Sequence, residues 1–205
     1  MNPLRIPSYW ETNESLDAIV NGMNVGKRDR ILAVLGSGDQ AFALLEKAAY
    51  VKAVDNCMAQ VEHAQARIKY PETTLTKPHC SHFYGNRDYF SAERIAEIKK
   101  KASCLEIAEE DIFTEGNIEE FNKIYLSNAS TNGSNPLDKV NGFLNRLAQN
   151  LGKPGIVYFT ADPEFKPEII IPKRFSLDKE LTRIARKHER NGIMVWRPAI
   201  YRRKA

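Results

Sequence analysis

The sequence predicts an α/β fold, a mostly parallel β-sheet with helices on both faces. Apolar segments typical of buried strands, such as Ile31 to Leu35, alternate with segments whose apolar residues recur at helical spacing, such as Ala41 to Ala49. Such alternation is typical of parallel sheets, whose right-handed crossovers are helices. The 205 residues, 42% apolar and 27% charged, are enough for one well-buried domain.

The predicted elements follow the chain in order. A short helix at 14–22 leads into a strand at 30–35, helices at 39–49 and 57–69 flank a strand at 51–55, a loop spans 71–88, and Ser91 caps a helix that ends near Lys101. Further strands are predicted at 104–108, 123–126, 155–160, 193–196 and 199–202, with helices at 136–150 and 177–190 and Pro198 at a bend or edge position. We divide the chain into a leading helix or lid, 1–29, and a ligand-binding domain, 30–205.

A glycine turn after the first strand is the most specific local signal. Gly36 and Gly38 have no Cβ, so the backbone there turns sharply and approaches a ligand closely. Asp55 ends the next strand, where a Rossmann-like unit places the acid that accepts hydrogen bonds from a ribose diol. Glycine used only for turn geometry is the alternative. The strand before the turn and the acid after it favour a nucleoside site.

Asp39 opens the helix after the glycine turn, where a dinucleotide would place its pyrophosphate. A carboxylate there repels phosphate and attracts an ammonium or a sulfonium. The sequence therefore favours S-adenosylmethionine over NAD or FAD as the cofactor.

Ligands of such sheets bind beyond the carboxyl ends of the strands. These ends deliver a set of predicted cofactor-binding residues: Gly36, Ser37, Gly38, Asp39, Gln40, Asp55, Asn56, Asp111, Ile112, Phe113, Ser127 and Asn128. We expect Asp111 to accept from an adenine amino group while Ile112 or Phe113 covers the ring, and a simple capping acid is the alternative. The polar group at 127–130 would orient the methionine end of the donor or hold an acceptor. It contains no His, Cys or Lys, so covalent catalysis is not expected.

Two aromatics and an acid, Tyr9-Trp10-Glu11, precede the first predicted helix. They would fold over the cleft as a lid, with Tyr9 or Trp10 offering a π-face to a sulfonium, or else fix a terminal helix to the core. Trp196 and Phe159 are predicted as core residues.

Positive charge is concentrated at the end of the chain. Residues 166–205 contain twelve Lys and Arg against four Asp and Glu, although the whole chain carries only +4. A basic face with Arg183, Arg186, Lys187 and Arg190 could meet nucleic acid or an anionic membrane, or could simply be solvated.

Cysteine and histidine usage gives little sign of a disulfide framework or a metal centre. Cys57, Cys80 and Cys104 form no close pair and are expected to be reduced. His79-Cys80-Ser81-His82 has no second cluster of ligand types, so no metal is predicted. The start lacks the apolar core of a signal peptide and no run is long enough for a membrane span, which predicts a cytoplasmic protein.

The sequence resembles class I S-adenosylmethionine-dependent methyltransferases, and within them the betaine-lipid-synthase type of 3-amino-3-carboxypropyl transferase. The resembling pieces are Tyr9-Trp10-Glu11, residues 36–41, residues 53–56 and Tyr125-Leu126-Ser127-Asn128, which together cover most of the first 130 residues in the right order. The resemblance implies that residues 36–39 surround the amino-acid end of the donor, that Asp55 holds the ribose, that Asp111 and Ile112 hold the adenine, and that Tyr9 and Trp10 close over the cofactor. It also implies attack at the γ-carbon of the donor and a lipid acceptor.

The acid that typical methyltransferases place just before the glycine turn is replaced here by Val34 and Leu35. The chain is also shorter than the betaine-lipid enzymes, so either a small-molecule or a lipid acceptor is open. The catalytic group is not assigned, and Tyr9, Ser127 and Asn128 are the candidates. A non-catalytic Rossmann-like module that binds nucleic acid or anionic surfaces through the basic end is the alternative to a transferase, and an NAD-dependent oxidoreductase is a third hypothesis.

Overall fold

The computed structural model describes residues 6–75, 89–131, 135–161, 169–189 and 196–204. Its helices are α1 (Leu16–Gly22), α2 (Asp39–Lys47), α3 (Met58–Lys69), α4 (Pro71–Thr74), α5 (Ala92–Lys100), α6 (Leu137–Asn150) and α7 (Lys179–His188). The strands are β1 (Arg30–Val34), β2 (Tyr50–Asp55), β3 (Leu105–Glu109), β4 (Lys123–Tyr125), β5 (Ile156–Ala161), β6 (Phe175–Leu177) and β7 (Arg197–Arg203). Short 3-10 helices lie at Ala102–Cys104, Ile112–Thr114 and Ile118–Glu120.

The strands form one sheet in the order β3-β2-β1-β4-β5-β7-β6. Strands β1 to β5 pair in parallel, and β7 runs antiparallel to both of its neighbours. From β1 to β3, successive strands are added toward one edge of the sheet, and from β4 onward they are added toward the other edge. The carboxyl ends of β1 and β4 therefore flank a crevice. The predicted fold class is confirmed.

Successive side chains of β1 enter different cores. Ile31 and Ala33 belong to the core on the face covered by α1, α2, α5 and α7, whereas Leu32 belongs to the core beneath α6. All three are fully buried, because both faces of the sheet are covered by helices. A continuous apolar run is therefore what this strand requires.

Three segments differ from the sequence prediction. Residues 175–177 form β6, which was not predicted, so Leu177 ends a strand instead of opening the helix predicted at 177–190. The helix begins at Lys179, and Asp178 caps it by accepting the Leu181 N–H at 3.0 Å. Pro198 lies inside β7 opposite Thr160, so it does not separate two strands. The short β6 does not reach it, so it has the predicted edge position, where a missing N–H is tolerated. Pro71–Thr74 is a helical turn instead of a loop, which Pro at its first position favours.

Some predicted features fall outside the described residues, namely 76–88 of the predicted loop and 193–195 of a predicted strand. In the leading segment, α1 packs against α2 and α7, and Leu16, Ile19 and Met23 are fully buried in the core of the sheet. Within the described part of the chain, no helix combines the length and apolar character needed to cross a bilayer.

Candidate active site

A cleft of about 490 Å³ opens at the carboxyl ends of the parallel strands. Eleven of the predicted binding residues line it: Tyr9, Gly36, Ser37, Gln40, Asp55, Asn56, Asp111, Ile112, Phe113, Ser127 and Asn128. The structure thus brings residues from β1, β2, β3 and β4 together as the strand-end rule predicts. Trp10, Gly38 and Asp39 do not line the cleft.

Asp55 fixes the end of β2 to the glycine turn. Its Oδ2 accepts the Gly36 N–H at 3.2 Å, and its Oδ1 accepts the Cys57 N–H at 2.9 Å. Burial raises the pKa of Asp55, and the two backbone hydrogen bonds oppose that shift. Each carboxylate oxygen has a second lone pair, so the group remains able to accept from a diol.

Gly36 and Gly38 serve different purposes although both have positive φ, +50° and +92°. A Cβ at Gly36 would meet nothing closer than Gln40 Nε2 at 3.9 Å, so bare backbone faces open space. A Cβ at Gly38 would lie 2.8 Å from the Phe42 ring and 3.0 Å from Ala64. Gly38 is therefore required by the packing of Phe42 and Ala64, and its contact with the cofactor stays a prediction.

Asp39 requires a correction. Its carboxylate lies 2.7 Å from Arg67 Nη2 and also accepts hydrogen bonds from Ser37 Oγ at 2.8 Å and Thr12 N at 2.9 Å. The side chains of Asp39 and Arg67 are both 5% exposed. The prediction that Asp39 presents a free negative charge to a ligand is wrong, because Arg67 neutralises that charge.

Residues 9–12, here called the strap, are tied to the glycine turn by two glutamines. Gln60 accepts the Tyr9 N–H at 2.9 Å and donates to Tyr9 O and Gly36 O at 3.1 and 2.7 Å. Gln40 Nε2 donates to Thr12 Oγ1 at 2.7 Å. The strap is thus held beside the turn by polar contacts that are specific in direction.

The two aromatics of the strap are placed differently. Tyr9 lines the cleft and is 58% exposed. The Trp10 ring instead meets His63 edge-on, with 5.2 Å between centroids. The structure therefore brings only Tyr9 of the predicted aromatic pair to the cleft.

Asp111 caps the 3-10 helix that follows β3. It accepts the Phe113 N–H at 2.9 Å and forms an ion pair with Lys139. Asp111 is therefore a capping acid, as the alternative interpretation predicted. It also lines the cleft, together with the buried side chains of Ile112 and Phe113. A carboxylate edge beside an apolar wall fits a flat heterocycle with an amino group.

Sequence reasoning missed Glu14, which is 3% exposed and lines the cleft. Its Oε1 accepts hydrogen bonds from Tyr125 OH at 2.9 Å and from Ser127 Oγ. Ser127 lies two residues after the end of β4 and has a φ of +50°, a conformation that costs a non-glycine residue energy and is found at functional sites. Burial raises the pKa of Glu14, and the hydrogen bonds from Ser127 and Tyr125 partly offset it.

Glu189 is electrostatically coupled to Glu14. Burial, together with the charge of Glu14, raises the pKa of Glu189 to about 7, and a hydrogen bond from the Ser15 backbone opposes the shift. The two residues are far apart in the chain and meet because α1 packs on α7. No sequence pattern signals this pair.

Trp196 also lines the cleft and is only 6% exposed, so its prediction as a simple core residue is incomplete. Its Nε1–H has no hydrogen-bond partner among the described residues, and neither does Gln40 Oε1, which lies in the same cleft. Unpaired buried polar atoms are costly and rare. Because both residues line the cleft, a ligand bound there is a candidate partner for these atoms.

Much of the basic end has structural roles. Arg203 donates to the Ala148 and Gln149 carbonyls at the end of α6 at 3.0 and 2.7 Å. Arg202 pairs with Asp178 at 2.8 Å, and Arg186 donates to Pro198 O at 3.1 Å. Of the predicted basic face this leaves Arg183 and Lys187 as exposed cations, and Arg190 lies outside the described residues.

The sequence predicts no metal site, and the structure describes only part of the chain to which this prediction applies. His79 to His82 lie outside the described ranges, within which no three His, Cys, Asp or Glu are grouped so as to hold a metal ion. Cys57 and Cys104 are free thiols, and Cys80 is not described.

No protein-family model matches the sequence, and no curated protein matches it. Solved structures match its fold. An rRNA methylase from Streptococcus thermophilus is 9% identical with a TM-score of 0.54, covering 93% of this chain and 94% of its own. NodS, an N-methyltransferase from Bradyrhizobium japonicum solved with S-adenosyl-L-homocysteine, is 10% identical with a TM-score of 0.54, covering 92% and 84%. Magnesium protoporphyrin IX methyltransferase from Synechocystis, solved with bound S-adenosylmethionine, is 12% identical with a TM-score of 0.53, covering 92% and 76%. This chain therefore has the Rossmann-like fold of class I methyltransferases.

Proposed function

We propose that the protein binds S-adenosylmethionine in this cleft and transfers a carbon group from it to an acceptor. The observation that carries the proposal is Asp55, which is fixed by hydrogen bonds from the Gly36 and Cys57 backbone and lines the same cleft as Ile112 and Phe113. A ribose diol binds the carboxylate, and the adenine lies against the apolar wall with its amino group toward Asp111. The fold likeness to methyltransferases is in keeping with this ligand but does not by itself assign it.

The methionine end of the donor extends toward the strap. Gln40 Oε1 is a buried acceptor suited to the donor ammonium, since its own amide nitrogen is occupied by Thr12. Ser37 lines the same end of the cleft. With Asp39 neutralised by Arg67, selectivity for this cation depends on these uncharged acceptors and on the other carboxylates that line the cleft.

The reacting end lies where β4 stops, beside Ser127, Asn128 and Glu14. Bound donor supplies a sulfonium, which activates the adjoining carbons because a neutral thioether departs. The protein's contribution is to hold an acceptor in line with one of these carbons and to keep water out. The described residues of this region offer no cysteine, histidine or lysine, and direct transfer without a covalent enzyme intermediate fits them best.

The finer proposal is transfer of the 3-amino-3-carboxypropyl group. It rests on the resemblance of Tyr9-Trp10-Glu11 and Leu126-Ser127-Asn128 to the betaine-lipid type, and the fold is equally compatible with methyl transfer. The two reactions leave different nucleosides: methylthioadenosine after attack at the γ-carbon, and S-adenosylhomocysteine after attack at the methyl.

Two measurements test the proposal in turn. A thermal-shift series with S-adenosylmethionine, S-adenosylhomocysteine, methylthioadenosine and NAD should raise the unfolding midpoint for the sulfur nucleosides only. A shift with NAD alone would overturn the cofactor assignment. Incubation with S-adenosylmethionine and cell extract, followed by mass spectrometry of the nucleosides, then identifies the carbon attacked, and S-adenosylhomocysteine as the sole by-product would overturn aminocarboxypropyl transfer.

A further inference from the structure

All the described charged residues that line the cleft are acidic. Five carboxylates line it, from Glu11, Glu14, Asp55, Glu110 and Asp111, and the described lining contains no Lys, Arg or His. Lys52 lies behind Glu110 at 2.8 Å and Lys139 pairs with Asp111, so two of the five are partly neutralised from outside the lining. A concave surface of this composition raises the local concentration of cations and repels phosphates.

The reacting end carries its own polar features, independent of the acidic rim. Glu14 is buried against Tyr125 and Ser127, whose strained φ places its hydroxyl against Glu14 Oε1. Trp196 lines the same cleft and is only 6% exposed. Its Nε1–H has no hydrogen-bond partner among the described residues. An indole offers an N–H to an oxygen and a π-face to an ammonium.

We propose that the acceptor is an amine without a phosphate group, and that the Glu14 carboxylate binds its nitrogen and takes its proton. This deepens the proposed function and depends on it. The Glu14 carboxylate takes a proton from the bound ammonium. The neutral amine then attacks a carbon of the donor sulfonium, the N–C bond forms as the C–S bond breaks, and the electron pair of that bond stays on sulfur. The product leaves as the substituted ammonium, and protonated Glu14 returns its proton to water.

The arrangement fits this acceptor better than the alternatives. An ammonium donates a hydrogen bond to the Glu14 carboxylate and also forms an ion pair with it, while an alcohol donates a hydrogen bond without the opposite charge. A phosphate-bearing acceptor, such as a nucleic acid backbone or a phospholipid headgroup, finds no described Lys, Arg or His in the lining to attract it.

The test uses three probes with one carbon skeleton: phenethylamine, phenethyl alcohol and phenethyl phosphate. Each is titrated at up to millimolar concentration into the full chain saturated with S-adenosylhomocysteine, and binding is read from the unfolding midpoint. We expect the amine to bind at least about tenfold more tightly than the alcohol, because only the amine pairs a positive charge with Glu14, and the phosphate not to bind. Equal binding of all three, binding of the phosphate, or binding of none would overturn the amine proposal.

A variant pair locates the effect. Glu14→Gln keeps the size of the side chain and an acceptor for Ser127 but removes the charge, so it should lose the amine preference while still binding S-adenosylhomocysteine. The exposed Glu119→Gln is the matched control and should retain the preference. Preference that survives in Glu14→Gln would overturn the role of Glu14, and if Glu14→Gln does not fold, Ser127→Ala, which frees the carboxylate from one partner, should change amine affinity instead.

The same experiment separates the two proposals. If S-adenosylhomocysteine itself fails to shift the wild-type midpoint, the proposed function fails. If it shifts the midpoint but the amine shows no preference, only the acceptor proposal fails.

Discussion

Arg67 Nη2 lies 2.7 Å from Asp39 Oδ1, and this buried ion pair connects α3 to the start of α2 directly behind the glycine turn. Arg67 Nη1 also donates to Ser37 O at 3.0 Å and to Trp10 O at 3.4 Å. One guanidinium thus holds the turn, the helix and the strap together. Its planar set of donors makes it suited to several acceptors at once.

Arg67→Met should destabilise the protein by about 3–5 kcal/mol, because it leaves Asp39 buried without its cation. The double variant Arg67→Met/Asp39→Asn should recover part of that loss, since no charge then remains uncompensated. Denaturant unfolding of the wild type, both single variants and the double variant measures the coupling. Additive effects of the two substitutions would show that the pair does not act as a unit.

Asp55→Ala should weaken the binding of S-adenosylmethionine roughly ten- to a hundredfold, because a carboxylate that accepts from a ribose diol contributes on the order of 1.5–3 kcal/mol. Titration calorimetry measures the affinity, and circular dichroism checks that the variant is folded. Glu119→Gln, on an exposed surface, is the control and should bind like the wild type. Unchanged affinity in folded Asp55→Ala would refute the ribose assignment.

The free energy of unfolding should fall as the pH rises from about 4.5 to about 7, in part because of Glu189. Burial and the Glu14 charge raise the pKa of Glu189 to about 7 in the folded state, so the folded protein holds a proton that the unfolded chain has already released. The stabilisation is present below the unfolded pKa and is lost as the pH approaches the folded one. Glu189→Gln should flatten this part of the profile, measured by urea unfolding at several pH values, and Glu180→Gln on the exposed side of α7 should not.

If the basic end binds polyanions, we expect three exposed cations of α7 to carry that binding: Lys179, Arg183 and Lys187, which have no ion pair among the described residues. Replacing Lys179, Arg183 and Lys187 with Gln should reduce the slope of log affinity against log salt for single-stranded RNA by about 2, since each phosphate contact contributes about 0.7. Lys27→Gln/Arg28→Gln removes exposed charge from another surface and is the control. An unaltered slope in the α7 variant, or no RNA binding by the wild type at low salt, would leave this face merely solvated.

The sequence predicted what local patterns encode. Short apolar runs and apolar residues at helical spacing predicted the order of the main strands and helices, and the strand-end rule predicted that Asp55, Asp111 and Ser127 lie in one cleft. β6 was missed because three residues are too few to show a period. Trp196 was predicted as a core residue because, in a sequence, an aromatic residue that lines a cleft looks the same as one that is buried in the core.

Contacts between distant segments could not be predicted in this way. Arg67 and Asp39 are 28 residues apart, and Ser127 and Glu14 are 113 apart, with no motif that connects either pair. Such pairs depend on how whole elements pack, as α3 does beside α2 and β4 does beside the segment before α1. The error over Asp39 followed directly, because a charge was assigned to the cleft without knowledge of the cation that neutralises it.

The two glycines of the turn allow structural and functional roles to be separated by one pair of substitutions. Gly38→Ala places a methyl group 2.8 Å from the Phe42 ring at a φ of +92°, so it should cost several kcal/mol of stability through strain and overpacking. Gly36→Ala has a φ of +50° and open space around its Cβ, so it should cost only about 1–2 kcal/mol. That open space is the cleft itself, and the added methyl should weaken S-adenosylmethionine binding more than it weakens the fold. Urea unfolding and calorimetric titration of both variants check the contrast, and a Gly36→Ala variant that binds the donor as tightly as the wild type would show that the ligand does not approach the turn.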